Sequence, residues 1–310
     1  MRISVDAGKF ACKGLGVDTR GELTRFYLRN KVEVLQEDVL NLDSNDYIIE
    51  LDGVKYRVGN DATEIDLNVS KKSINHKLLI YIAIVKLMGN DSDIDLMIGC
   101  PMSTYVNKDK KDELINYLKG EVAIKVNGVS YSFNIKSVNV LPESLGIPYK
   151  DTIKNKKRLI GVLDIGGLNV NGAIYDRLKP IKQSSFTINQ GGLILQGKIK
   201  RALNNMFEVN FQDYEIPYII ANGVYINGER SIEGDNLVKS VLKSHLKLIL
   251  DECKRYNWNI GGIELNFTGG CSLDLKNFID SEIKNAIVSG SSVWDNVIAF
   301  NTIGEVLKIG

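Results

Sequence analysis

A pattern near the N-terminus starts again in the middle of the chain. Three short β-prone segments, residues 3–5, 11–17 and 23–28, are separated by Gly and Asp, and Asp6-Ala7-Gly8 follows the first of them. Residues 159–164, 169–175 and 181–187 repeat this three-strand meander, with Asp164-Ile165-Gly166 at the equivalent place. An internal duplication is the simplest cause, and it restricts the fold to two similar α/β units. With 310 residues, 44% of them hydrophobic, the chain is long enough for two cores, because single cores stop growing at about 250–300 residues. The lysine-rich, apolar-poor stretch 149–158 marks the boundary. The expected domains are 1–150, with a small β-rich insertion at about 30–65 and the C-terminal segment 297–310 packing back on it, and 151–296.

Turn chemistry fills in the elements between. Asp52-Gly53 between residues 47–51 and 54–58, and Asn127-Gly128 between 122–126 and 129–133, predict two hairpins with type I′ turns. A helix is expected over 73–88 with a Ser cap, then a buried strand over 94–98, a charged helix over 108–118 and a strand over 138–141 before Pro142. The second half predicts a helix from about 190, a long amphipathic helix over 232–256, a buried strand over 263–267 and a helix near Asp274. Val238, Val241, Leu242, Ile249 and Cys253 share one face of the long helix, as core packing requires.

Composition removes several kinds of chemistry. Lys and Arg number 39 against 38 Asp and Glu, so the surface as a whole has no grip on a polyanion and little direct DNA binding is expected. Cys12, Cys100, Cys253 and Cys271 form no CxxC pair, which gives neither a disulfide framework nor a zinc site and fits a reducing cytoplasm. His76 and His245 fall in helical segments and read as packing residues, which disfavours histidine catalysis. The opening strand lacks the flanks of a signal peptide, and the longest apolar run, 78–85, is far short of the roughly 20 residues of a membrane span.

The duplicated turns carry the chemistry. Asp6-Ala7-Gly8-Lys9 and Asp164-Ile165-Gly166-Gly167 each put a carboxylate at a strand end and glycine just beyond it, where backbone N–H groups can reach an anion without a Cβ in the way. One such turn is weak evidence; two at equivalent places point to two phosphate loops whose carboxylates hold Mg²⁺ through its waters. Thr268-Gly269-Gly270, between a buried strand and a helix, offers a surface for a flat base and ribose. Gln190-Gly191-Gly192 opens a helix and is a further candidate nucleotide contact. The run from Gly192 to Lys198 imitates a Walker A loop, but Ile199 replaces the required Ser or Thr and the segment reads as helical.

ISVDAGKFACKG, VNVLPESLG, VLDIGGLNVNGAIY, LNFTGGCSL and FNTIGEVLKIG together resemble the five nucleotide-site motifs of the actin/hexokinase/heat-shock ATPase superfamily. YRVGNDA and GCPMSTY narrow the resemblance to its ParM-type branch, the bacterial plasmid-segregation actins. The resemblance implies an actin-like (ribonuclease H-like) duplicated α/β fold with a nucleotide cleft between its domains. It implies that Asp6 and Asp164 organise Mg²⁺ and its waters, and that Gly8, Lys9, Gly166 and Gly167 line the phosphates. Lys13 would reach the phosphate chain, Glu143 would orient or deprotonate the attacking water, and Asp164 would share in catalysis. Gly191, Gly192, Thr268, Gly269 and Gly270 complete the nucleotide contacts. Leu168-Asn169 stands where many relatives have hydroxyl residues, so contacts there must come from backbone or the Asn amide; Ala7 stands where some carry a second Asp.

By the same resemblance the cofactors are ATP, or GTP, with Mg²⁺, and hydrolysis at Glu143 controls filament lifetime. The partners are other copies of the chain and a DNA-binding adaptor on a plasmid centromere-like site, in the cytoplasm and away from membranes. A cell-shape actin of the MreB type and a small-molecule kinase of the same superfamily are the alternatives. Pro142-Glu143-Ser144, in place of the Asn-Asp context of sugar kinases, favours water as the acceptor. The basic run Lys150, Lys154, Lys156, Lys157, Arg158 reads as a solvated linker before it reads as a DNA contact.

Overall fold

The computed structural model describes residues 1–17, 22–37, 42, 44–65, 70–90 and 92–307. Part of the insertion, at 38–41 and 43, and the end of the last connector, at 308–310, therefore lie outside the described residues. In chain order the elements are β1 (Arg2–Ala7), β2 (Ala11–Val17), β3 (Leu23–Arg29), β4 (Val32–Val34), β5 (Tyr47–Leu51), β6 (Val54–Val58), α1 (Ile74–Met88), β7 (Ser92–Cys100), α2 (Met102–Tyr105), α3 (Lys108–Leu118), β8 (Gly120–Val126), β9 (Val129–Pro142), α4 (Gly146–Lys150) and α5 (Thr152–Asn155). They continue with β10 (Leu159–Ile165), β11 (Val170–Asp176), β12 (Lys179–Pro180), a 3₁₀ turn at Lys182–Ser184, β13 (Phe186–Ile188), α6 (Gly192–Phe207), α7 (Ile216–Asn222), β14 (Tyr225–Ile226), β15 (Glu229–Arg230), α8 (Ile232–Arg255), β16 (Glu264–Thr268), α9 (Cys271–Asp274), α10 (Lys276–Glu282), β17 (Ala286–Val288) and α11 (Asp295–Val306). Two compact units result, one of Met1–Thr152 with Trp294–Gly310 and one of Ile153–Val293.

In the first unit nine strands run in the order β3-β2-β1-β7-β9-β8-β5-β6-β4. β1, β7 and β9 are parallel neighbours, and β1, β2 and β3 form the antiparallel meander. Helix α1 is apolar nearly all round, with Leu78, Leu79, Ile80, Ile82 and Ile84 fully buried, and it packs on β1, β2 and β3. Each such side chain contributes about 1.5–3 kcal/mol relative to exposure. Ser73 caps it, its side chain accepting from the His76 N–H. Helix α11 closes the unit by packing on β1, β2, β7 and α4.

The second unit repeats the central pattern, β12-β11-β10-β16-β17, again with an antiparallel meander beside parallel neighbours and with β13 also paired to β11. Its core gathers Leu195, Ile199 and Leu203 of α6 with Leu242, Leu246 and Ile249 of α8 and Leu265 and Phe267 of β16.

Both predicted hairpin turns form, with positive φ at Asp52 and Gly53 and at Asn127 and Gly128, as a type I′ turn requires. Two local expectations need correction. The two strands read over 129–133 and 138–141 are a single strand, Val129–Pro142, because pairing with β7 carries the chain through Asn134, Ile135 and Ser137, with a register shift at Lys136. Ser137 donates to Asp95 and Asn134 to Asp93, so polar residues that look like a break are absorbed in the ladder. The strand expected over 181–187 is instead interrupted by the 3₁₀ turn. Pro180 has no N–H to donate, and Ser184 Oγ takes the ladder's part by accepting from the Ile174 N–H at 2.9 Å. The β5–β6 hairpin extends the main sheet, with Ile49 and Glu50 paired with Val126 and Lys125.

Candidate functional site

In the first unit β1 delivers Asp6 to the sheet end and β2 returns Lys13 directly opposite it. Lys13 Nζ stands 3.5 Å from Asp6 Oδ2. The intervening loop is tight: the Gly8 N–H donates to the carbonyls of Asp6 at 3.0 Å and Ala11 at 3.1 Å. A Cβ on Gly8 would lie 2.8 Å from the Ala11 carbonyl oxygen and 3.2 Å from Lys13 Nζ, closing the space between loop and ammonium. Asn30 holds the loop from behind, its side-chain N–H donating to the Gly8 carbonyl at 2.8 Å and its backbone N–H to that of Phe10 at 3.1 Å. Lys9 turns its ammonium to the Ser70 carbonyl at 3.2 Å.

Glu143 sits where β9 ends beside β7, its N–H donating to the Cys100 carbonyl at 2.8 Å. Ser144 follows with a φ of 82°, a region costing a non-glycine residue about 1–3 kcal/mol. The strain is held by Asn296 of α11, whose Oδ1 accepts from the N–H groups of Ser144 at 3.1 Å and Gly146 at 3.3 Å. Glu143 Oε1 then meets Lys71 Nζ at 2.8 Å, and the same ammonium donates to the Ala7 carbonyl. Although burial disfavours its charge, the Glu143 and Asp6 carboxylates hold the Lys71 ammonium above its ordinary value. Burial pushes the Cys12 thiol up to about 12 and the Cys100 thiol up as well, so neither is a thiolate at neutral pH. Burial and the Lys71 and Lys9 charges keep His76 neutral, well below its usual value.

Lys71 is the residue that sequence reasoning missed. One signal was present: Lys71-Lys72 lies just ahead of the α1 N-terminus, where the helix dipole disfavours cations, so a lysine buried there needs a carboxylate partner.

In the second unit Asp164 occupies the end of β10, in register with Asn171 on β11 and Thr268 on β16. The loop beyond it closes through the Gly166 N–H donating to the Asn169 carbonyl at 2.9 Å. The start of α6 docks directly on this loop, with Gly191, Gly192 and Leu193 N–H donating to the carbonyls of Leu168, Gly166 and Gly167 at 2.7, 2.9 and 2.7 Å. Gly191 and Gly192 therefore brace the loop with the N–H groups that an anion at the helix start would use. Leu168 is buried, and so is Asn169, whose Oδ1 has no hydrogen-bond partner among the described residues. Lys198, the lysine of the Walker-like run, lies on α6 and donates to Gln190 Oε1 at 2.7 Å, which removes it as a phosphate ligand of that kind.

Thr268 Oγ1 and the Gly269 N–H both donate to the Ser292 carbonyl at 3.3 Å, and Ser272 Oγ donates to that of Gly269 at 2.7 Å. Gly269 has a φ of 83°, and Gly270 has open space beside its Cα. Of the basic run, Arg158 pairs with Glu264 at 2.8 Å, Lys154 with the same carboxylate at 3.9 Å, and Lys150 with Asp295 at 3.4 Å, so much of its charge is neutralised locally.

The duplicated meander-plus-parallel sheets, each ending in a carboxylate and a glycine loop, define an actin-like fold. Residues 4–146 match the family model of actin-like proteins, N-terminal domain. Across 99% of the chain and 98% of the other, the structure is similar to the Alp12 filament, at 25% identity and a TM-score of 0.73. An archaeal actin homologue in complex with ADP is 15% identical over 98% of this chain and 99% of its own, with a TM-score of 0.77. A 15-stranded ParM filament from Clostridium botulinum is 17% identical over the same shares, also with a TM-score of 0.77. No curated protein matches the sequence.

Proposed function

We propose that this chain is a filament-forming, ParM-like ATPase that separates plasmid copies, with Glu143 preparing the water that hydrolyses ATP. The observation that carries the reading is the pair of equivalent strand ends, Asp6 with its Gly8 loop and Asp164 with its Gly166-Gly167 loop, in units that repeat one topology. The likeness to filament structures supports self-assembly, and the likeness to an ADP-bound homologue supports an adenine nucleotide.

The residues fit a magnesium nucleotide. Lys13 and Lys71 stand beside Asp6 and Glu143, which suits a polyanion that brings its own cation. The buried Asn169 Oδ1, without a partner among the described residues, lies in the second loop, where a bound ligand or its water would satisfy it. Mg²⁺ held through water by Asp6 and Asp164 would neutralise phosphate charge. Lys13 would offset the phosphate chain, and Thr268, Gly269 and Gly270 would support the nucleoside. Water attacks the γ-phosphorus, its proton passes to the Glu143 carboxylate, the bond to the β-phosphate oxygen breaks, and ADP and inorganic phosphate form. Filament lifetime follows from that loss of phosphate, and an adaptor protein, not the chain itself, carries the plasmid site. Among the described residues no helix is long and apolar enough to cross a membrane.

Light scattering and electron microscopy after adding ATP·Mg²⁺, with phosphate release followed in parallel, test the proposal. Polymer that forms with nucleotide and decays as phosphate appears is the expected result. Phosphate transfer to a small molecule without polymer would show a kinase instead.

A further inference from the structure

We infer that Lys71 is a positioning residue for hydrolysis, fixing the Glu143 carboxylate relative to the first phosphate loop; the inference rests on the ATPase reading above. One ammonium joins two parts of the first unit that are far apart in sequence. Its Nζ is 2.8 Å from Glu143 Oε1 and also donates to the carbonyl of Ala7, the residue between Asp6 and Gly8. Both charged groups are buried, Lys71 at 7% and Glu143 at 8% exposure. In such surroundings the ammonium 2.8 Å away offsets the cost of burying the Glu143 charge, and its loss would let the carboxylate shift from the place where it can accept a water proton.

The rest of the setting is rigid. Ala7 is the last residue of β1, and the Glu143 backbone is tied to Cys100 of β7. Asn296 holds the strained Ser144 beside it. Lys71 thus sets the distance between the base and the loop, and displacement of a reacting group by about 1 Å can cost 10²-fold in rate. The ammonium acts through Glu143 and the loop carbonyl, not as the acceptor of the proton.

The test uses the full chain with ATP·Mg²⁺ and compares wild type, Lys71→Met, Glu143→Gln and the double variant in kcat for phosphate release and in ATP affinity. Lys71→Met is expected to lower kcat by about 10²-fold while ATP affinity stays within about threefold. Once Glu143 is neutral there is nothing left for Lys71 to position, so the double variant should be no slower than Glu143→Gln alone. That comparison remains decisive even if the single Lys71 variant fails to fold, because the double variant leaves no unpaired charge. The inference is overturned by wild-type kcat in Lys71→Met, by a loss confined to ATP affinity, or by a double variant much slower than Glu143→Gln. A wild-type protein that releases no phosphate, or full activity in Glu143→Gln, would remove the hydrolysis reading and this inference with it. Activity lost in Glu143→Gln but kept in Lys71→Met would remove the inference alone.

Discussion

Gly269 and Asp164 occupy positions that exclude one another's side-chain growth: a Cβ on Gly269 would stand 2.4 Å from Asp164 Oδ1. The same Cβ would lie 2.4 Å from the Ile165 carbonyl oxygen, and the φ of 83° already disfavours any L side chain. Gly269→Ala should therefore destabilise the protein by about 1–3 kcal/mol and displace the carboxylate. Gly270→Ala, next in sequence and with open space around its Cα, should change stability by no more than about 0.5 kcal/mol. Urea unfolding of the two variants makes the comparison; equal midpoints would show that Asp164 is not held by this contact.

Asp6→Ala and Asp164→Ala are each expected to weaken Mg-nucleotide binding and assembly together. Removing either carboxylate leaves phosphate charge without its share of the bound cation. Calorimetric titration with ATP in the presence of Mg²⁺ checks this, and wild-type affinity in both variants would make the two loops structural turns.

At Glu143 the choice of variant matters. Glu143→Ala leaves the buried Lys71 ammonium with the Ala7 carbonyl but without the carboxylate 2.8 Å from it, and breaking a buried pair typically costs about 3–5 kcal/mol. Glu143→Gln keeps the shape and is expected to slow phosphate release by about 10²-fold or more with ATP affinity nearly intact. Its filaments should persist after those of the wild type have depolymerised. Sedimentation over time after a limited dose of ATP reads both effects, and decay on the wild-type schedule would remove Glu143 from the chemistry.

The histidines set an acid limit. Burial and the Lys198 charge lower His245 from 6.5 to about 4, and burial with the Lys71 and Lys9 charges also lowers His76 well below its usual value. A histidine whose folded pKa lies below its unfolded one leaves the unfolded chain binding more protons between those values, so stability falls as pH drops from about 6.5 toward 4. Each group contributes up to about 1.4 kcal/mol per pH unit in its window. His245→Gln should flatten the dependence of the unfolding midpoint between pH 6 and about 4, compared with wild type. An unchanged slope would mean that His245 takes up its proton without disturbing the fold.

Local chemistry was legible in the sequence. The duplication showed because each half must place a carboxylate and glycines after its first strand, and the I′ turns showed because Asp52-Gly53 and Asn127-Gly128 can adopt positive φ at little cost. The Ser73 cap and the burial of α1 followed from residue type and periodicity. Tertiary structure decided what depends on partners distant in sequence. The sheet carried β9 through Asn134 and Ser137, Pro180 and Ser184 broke the third strand of the second meander, and Asn296 was brought to the strained Ser144. The Lys71–Glu143 pair joins residues 71 and 143, and neither the helix dipole nor the strand end names the other partner. Local preference is written in neighbouring residues, whereas a buried charge takes whichever partner the completed fold brings within reach.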